Sequence, residues 1–251
     1  CTLDAAVQEG NALGRADIHV PPAPAQGAYQ VLTETTITGQ LTLTSELEDN
    51  GEFELRAPEL HIAAGARLSV AQAELWVTGT TTVSGALVLH RSMLVGWIDV
   101  SEDAWLSMVN SQGGAWASDL APPTTNAWIT NRGTVVLRFS YFNRFDHGPG
   151  TSMGAAFVHT LDGGATFIGA TRFERYELTS PDCLGTPPQS EGYNHGQNCG
   201  LGAPGDHDSE GSPGGHQVPL GVAGCGTTVT VDLLGHPRPS ATGGDTCESG
   251  P

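Results

Sequence analysis

Short runs of alternating apolar residues, leucines that recur at one fixed interval and a composition rich in glycine and proline predict an all-β chain wound as a right-handed parallel β-helix, a solenoid. The 34 Gly, the 16 Pro and an aromatic content of only 6% suit many short elements joined by turns. A short N-terminal helix and a disulfide-stapled C-terminal loop region are expected to close the two ends. A stack of strands needs such caps because its open sheet edges would otherwise pair with other chains.

The elements follow in order. In CTLDAAVQEGNALGRA the apolar residues Leu3, Val7 and Leu13 predict a short amphipathic helix that ends near Gly14. After the turn-rich PPAPAQGAY come QLTLTS, FELRA, ELHIA, ARLSV, AELWV and ALVLH, which are strands by period and by residue type. Leu41 and Leu60, Leu68 and Leu87, and Leu87 and Leu106 are all separated by the same interval, and Gly65 and Gly85 precede two of the runs. Such a recurrence predicts coils that stack equivalent side chains. Further on, GTVVLRFSYFNRF from Gly133 is echoed by GATFIGATRFERY from Gly164, a longer repeat that sets Phe142 on Phe173 and Arg144 on Arg175. An antiparallel sandwich is the competing all-β reading, but it predicts no register between successive segments.

These patterns divide the chain into a cap and entry strand at 1–34, coils at 35–180 and a Gly/Pro-rich cap at 181–251. The last part carries one strand candidate, TTVTVDLL at 227–234. Four of the five cysteines, Cys183, Cys199, Cys225 and Cys247, lie there. The simplest pairing is Cys183 with Cys199 and Cys225 with Cys247, although the spacing allows others. Zinc is disfavoured because no CxxC occurs. An oxidising compartment is expected, and with it export to the cell surface, the periplasm, the outer membrane or the medium.

Charge narrows the partners. Against 27 Asp and Glu stand 10 basic residues, all Arg, for a net charge of -17, so nucleic acid and anionic membranes are poor partners. No apolar run reaches the roughly 20 residues of a membrane-spanning helix.

The N-terminal stretch CTLDAAVQEGNALGRADIHVPPAPAQGAYQVL resembles the opening of bacterial CSLREA-type β-helix proteins, within the pectate-lyase-like solenoids. Cys1, Leu3, Ala6, Asn11, Ala12, Gly14, Asp17, Ile18, Gly27 and Tyr29 carry the likeness. The tail CLGTPPQSEGYNHGQNCGLGAPGD with DLLGHPRPS is similar to the family's closing part at Gly192, Tyr193, Asn194, Gly235, Pro237, Arg238 and Pro239. Asp4 stands where the family usually has Arg, and DTCESGP replaces its usual ending. Family members often carry a cysteine upstream of the one matching Cys1. Cys1 is therefore expected to be unpaired, lipid-anchored or the start of a trimmed form. The resemblance implies the fold and no particular activity.

Chemistry is thinly signalled. If the chain were a polysaccharide lyase or glycoside hydrolase, carboxylates and an arginine would converge in a groove, and the candidates are Arg144, Asp146, His147, Arg172 and Arg175. Arg144 and Arg175 hold equivalent places in the longer repeat, which suits a repeated structural decoration instead. In GDHDSEG, Asp206, Asp208 and Glu210 alternate like Ca²⁺ ligands but lack the rest of a calcium loop, so a solvated acidic turn is the plainer reading. His195, His207 and His216 are irregularly spaced for zinc. Trp76, Trp97, Trp105, Trp116 and Trp128 would form a sugar platform only if several shared one face, and packing is the commoner fate of Trp in a strand. No nucleophile elbow, phosphate loop, zinc-protease or dinucleotide motif occurs.

The expected function is non-enzymatic: a surface or secreted module that displays loops to an envelope or extracellular protein or to a glycan. An accessory subunit of an envelope assembly is a further reading, and it requires an exposed apolar patch. No cofactor is expected beyond calcium at the acidic loop.

Overall fold

The computed structural model describes residues 2–20, 30–31, 33, 35–45, 54–114, 127–143, 156–174, 181–196, 199–201, 208, 217–230 and 246–248. It is mainly β, with parallel sheets, one short N-terminal helix and two disulfides near the C-terminus.

The helix spans Leu3–Leu13, is capped by the Thr2 hydroxyl accepting from the Ala5 N–H, and stops at Gly14 in the left-handed region. Leu3, Val7 and Gly10 form its buried face. Leu13 is 71% exposed. At about 100° per residue it stands roughly 80–90° off that face. Asn11 fastens the helix to the sheets. Its amide donates to the Thr36 carbonyl at 2.7 Å, and its oxygen accepts from the N–H of Thr38 at 2.9 Å and of Gly39 at 3.3 Å.

The first sheet runs, in spatial order, Arg15–Val20, Gln40–Ser45, Arg67–Ala71, Ala86–His90, Trp105–Val109, Thr134–Arg138, Ala165–Gly169 and Gln189–Ser190, all parallel. Between each of these strands and the next the chain contributes to a second, forked sheet. Its two long strands, Glu74–Val83 and Met93–Val100, each pair on two fronts. Their first halves join Glu54–Ala57, Gln112–Gly114, Tyr141–Asn143 and Arg172–Glu174; their second halves join Leu60–Ile62, Ala127–Asn131, Ala156–Thr160 and Cys183–Gly185.

Register tests the spacings. Leu68, Leu87 and Leu106 are direct partners, as the shorter repeat requires. Phe142 pairs with Phe173, as the longer repeat requires. Leu41 and Leu60 are not equivalent, because Leu41 pairs with Ala16 and Leu68 in the first sheet while Leu60 pairs with Thr35 and Thr81 in the second. The early passages between first-sheet partners, from Arg15 to Gln40 and from Gln40 to Arg67, are longer than the leucine interval, so equal spacing there joined positions in two different sheets. The strand expected at 227–234 is also absent over its described part. The N–H groups of Thr227, Thr228 and Val229 all reach the Gly224 carbonyl, a tight turn that Gly224 (φ +92) and Gly226 (φ +68) permit. Residues 231–234 lie outside the described residues.

One core fills the space between the sheets, drawing Leu41, Leu68, Leu87 and Leu106 from the first and Ile62, Leu75, Leu94 and Ile129 from the second. Towards its C-terminal end it becomes aromatic. Phe142 lies 5.4 Å from Trp128 and 5.3 Å from Phe173, and Phe157 lies 5.5 Å from Phe173, between ring centres.

Two devices turn the chain. Leaving the first sheet, each described passage from Ala71 onward uses a non-glycine residue in the left-handed region: Gln72, Arg91, Asn110, Phe139, Ala170 and Tyr193. Next to four of these, Ser92, Ser111, Ser140 and Thr171 donate their hydroxyls to carbonyls at the strand ends, so the bend leaves fewer backbone acceptors unpaired. At the fork the device is glycine. A Cβ on Gly96 (φ +130) would stand 2.3 Å from the Val77 carbonyl oxygen. Gly96→Ala is accordingly expected to cost about 3 kcal/mol. Gly65→Ala, also at positive φ (+77) but facing open space, is expected to cost only about 1 kcal/mol. Urea denaturation of both variants measures the difference, and equal losses would mean that the fork does not need glycine.

Candidate functional site

The sheets fix where the chain leaves and re-enters its repeat. Segments 115–126 and 144–155 each depart after a strand of the fork's first branch (Gln112–Gly114, Tyr141–Asn143) and return at one of its second (Ala127–Asn131, Ala156–Thr160). Residues 175–180 bridge the same two branches between Arg172–Glu174 and Cys183–Gly185. The departure strands are in register, Gln112 with Tyr141 and Tyr141 with Arg172, and so are the return strands, Ala127 with Ala156 and Val158 with Cys183. Arg144, Asp146, His147, Arg175 and Trp116 all fall in these three segments and lie outside the described residues. Their anchors are described and stacked.

On the departure strands sits a cluster of outward polar side chains that the sequence did not single out as a group. Tyr141 donates its O–H to Glu174 in the next layer. The guanidinium of Arg172, directly in register with Tyr141, has Nη2 3.6 Å from Glu174 Oε2, and its carbon is 5.7 Å from the centre of the Tyr141 ring. Burial, first, and the hydrogen bond and charge of Glu174 push the Tyr141 phenol well above the usual tyrosine value, against a smaller opposing pull from Arg172. At neutral pH it is therefore a protonated donor, and the cluster is a neutralised rim rather than an acid and base poised for proton transfer. Arg172 Nε is buried with no partner among the described residues. Tyr141 and Glu174 were findable: each flanks one of the matched phenylalanines, on the side that alternation turns outward.

Because the phenol's pKa is raised in the folded state, Tyr141 contributes stability that is fully present below about pH 10, the unfolded value, and lost as pH rises beyond it. Tyr141→Phe should flatten the alkaline fall of the melting temperature. An unchanged alkaline profile would show that the phenol is not held in this way.

The acidic loop is described at Asp208 alone; Asp206 and Glu210 lie outside the described residues, as do His207 and His216. Asp208 accepts the Asn194 N–H at 2.7 Å, and the buried Asn194 amide in turn binds the Thr171 N–H, the Ile168 carbonyl and the Ser190 hydroxyl. Asp208 thus fastens the last layer, with its other oxygen buried and unpartnered among the described residues. His195 is buried, and its backbone extends the ladder beyond Arg172. Among the described residues no three His, Cys, Asp or Glu are grouped to hold a metal ion.

The four described tryptophans do not share a face. Trp97 and Trp128 are buried, Trp76 lies half-buried beneath Arg56 at 5.4 Å, and Trp105 is 44% exposed on the first sheet. Trp116 is outside the described residues. Near the C-terminal end Arg138 grips Glu191 through two bonds, Nε to Oε2 at 2.6 Å and Nη2 to Oε1 at 2.5 Å. Disulfides join Cys183 to Cys199 and Cys225 to Cys247, the simplest of the pairings the spacing allowed. Cys1 is outside the described residues.

Comparison with family models, with curated proteins and with solved structures returns no match in any of the three.

Proposed function

We propose that this chain is a capped right-handed parallel β-helix of the CSLREA type, and that it serves outside the cytoplasm as a non-enzymatic display module contacting an envelope or extracellular protein or a glycan. One observation carries the reading. Three successive segments, 115–126, 144–155 and 175–180, span the same two branches of the fork on anchors held in register. A scaffold that stacks the anchors of its insertions can vary what those insertions carry without disturbing its core, and Trp116, Arg144, Asp146, His147 and Arg175 belong to these segments by sequence. The two disulfides suit an oxidising compartment, and no helix among the described residues is long and apolar enough to cross a membrane.

Two variants test fold and function separately. A repeat architecture tolerates removal of one whole layer, so deletion of residues 86–104, which sets Trp105 beside Arg67, should keep the circular dichroism and both disulfides. Collapse of that variant would count against the β-helix. Replacing 144–155 by a Gly/Ser linker should leave the melting temperature within a few degrees and abolish retention on a glycan array or on intact cell envelopes. Glycan cleavage by the parent chain, lost on Arg144→Ala or Asp146→Ala, would replace the display reading with the enzymatic one.

A further inference from the structure

We draw no further inference here: the strongest candidate, the acidic loop beside the last layer, where one oxygen of Asp208 is buried and unpartnered among the described residues, carries nothing because Asp206 and Glu210 lie outside the described residues and no second group there points to a cation.

Discussion

Phe142→Ala is expected to lower the free energy of unfolding by about 4 kcal/mol, the scale of a large aromatic truncated in a core that cannot collapse around the gap. Phe142 is fully buried and touches Trp128, Phe157 and Phe173, with ring centres 5.4, 6.2 and 5.3 Å away. Those rings come from three different passages of the chain. The backbone on either side is pinned by the ladder to Gln112 and Arg172, which limits inward relaxation. Urea denaturation of Phe142→Ala beside Phe142→Leu would measure the effect. A loss below about 1 kcal/mol would show that the aromatic cluster is not part of a continuous core.

Removing the disulfides should cost about 3 kcal/mol each, since they close chain segments of 16 and 22 residues. The two losses should differ in where they are felt. Cys225 and Cys247 share a small second core with Val218 and Val229, packed on Phe139 and Ala170 of the main body, both fully buried there. With Cys225→Ser and Cys247→Ser, amide exchange should rise across 217–230 and at Phe139 and Ala170, while Leu87 and Leu106 stay protected. Cys183 lies in the last strand on its side of the fork, against Val158, so Cys183→Ser and Cys199→Ser should fray that edge first. Uniform loss of protection in either variant would mean that the C-terminal region and the sheets unfold as one unit.

The sheets were legible where the chain keeps its shortest repeat. From Leu68 to Leu106 nothing is inserted, so the period in the sequence is the register in space. Around Leu41 and Leu60 it failed because insertions shift equivalent positions, and equal spacing then joins two faces. The bends that lead back into the first sheet were visible, since Gly65 and Gly85 advertise them, whereas Gly96 at the fork was not singled out. The left-handed corner was not visible, because Gln72, Arg91, Phe139, Ala170 and Tyr193 are residue types that do not announce positive φ. The hydroxyl column of Ser92, Ser111, Ser140 and Thr171 recurs at the same offsets as the strands and could have marked that corner. Of the site, the matched segments pointed to Arg172, but the Tyr141 to Glu174 contact joins residues far apart in the chain and depends on stacking that only the register reveals.

Holding the insertions at one corner has an evolutionary consequence. The entropic cost of closing a flexible segment grows only with the logarithm of its length, about 0.6 kcal/mol for each doubling. Residues 115–126 or 144–155 could therefore double in length, or exchange their sequence entirely, at a cost far below that of losing one core aromatic. Selection can rewrite whatever those segments touch while the leucine and phenylalanine columns remain under purifying constraint. Interleaved stretches of the same gene are thereby free to diverge at different speeds.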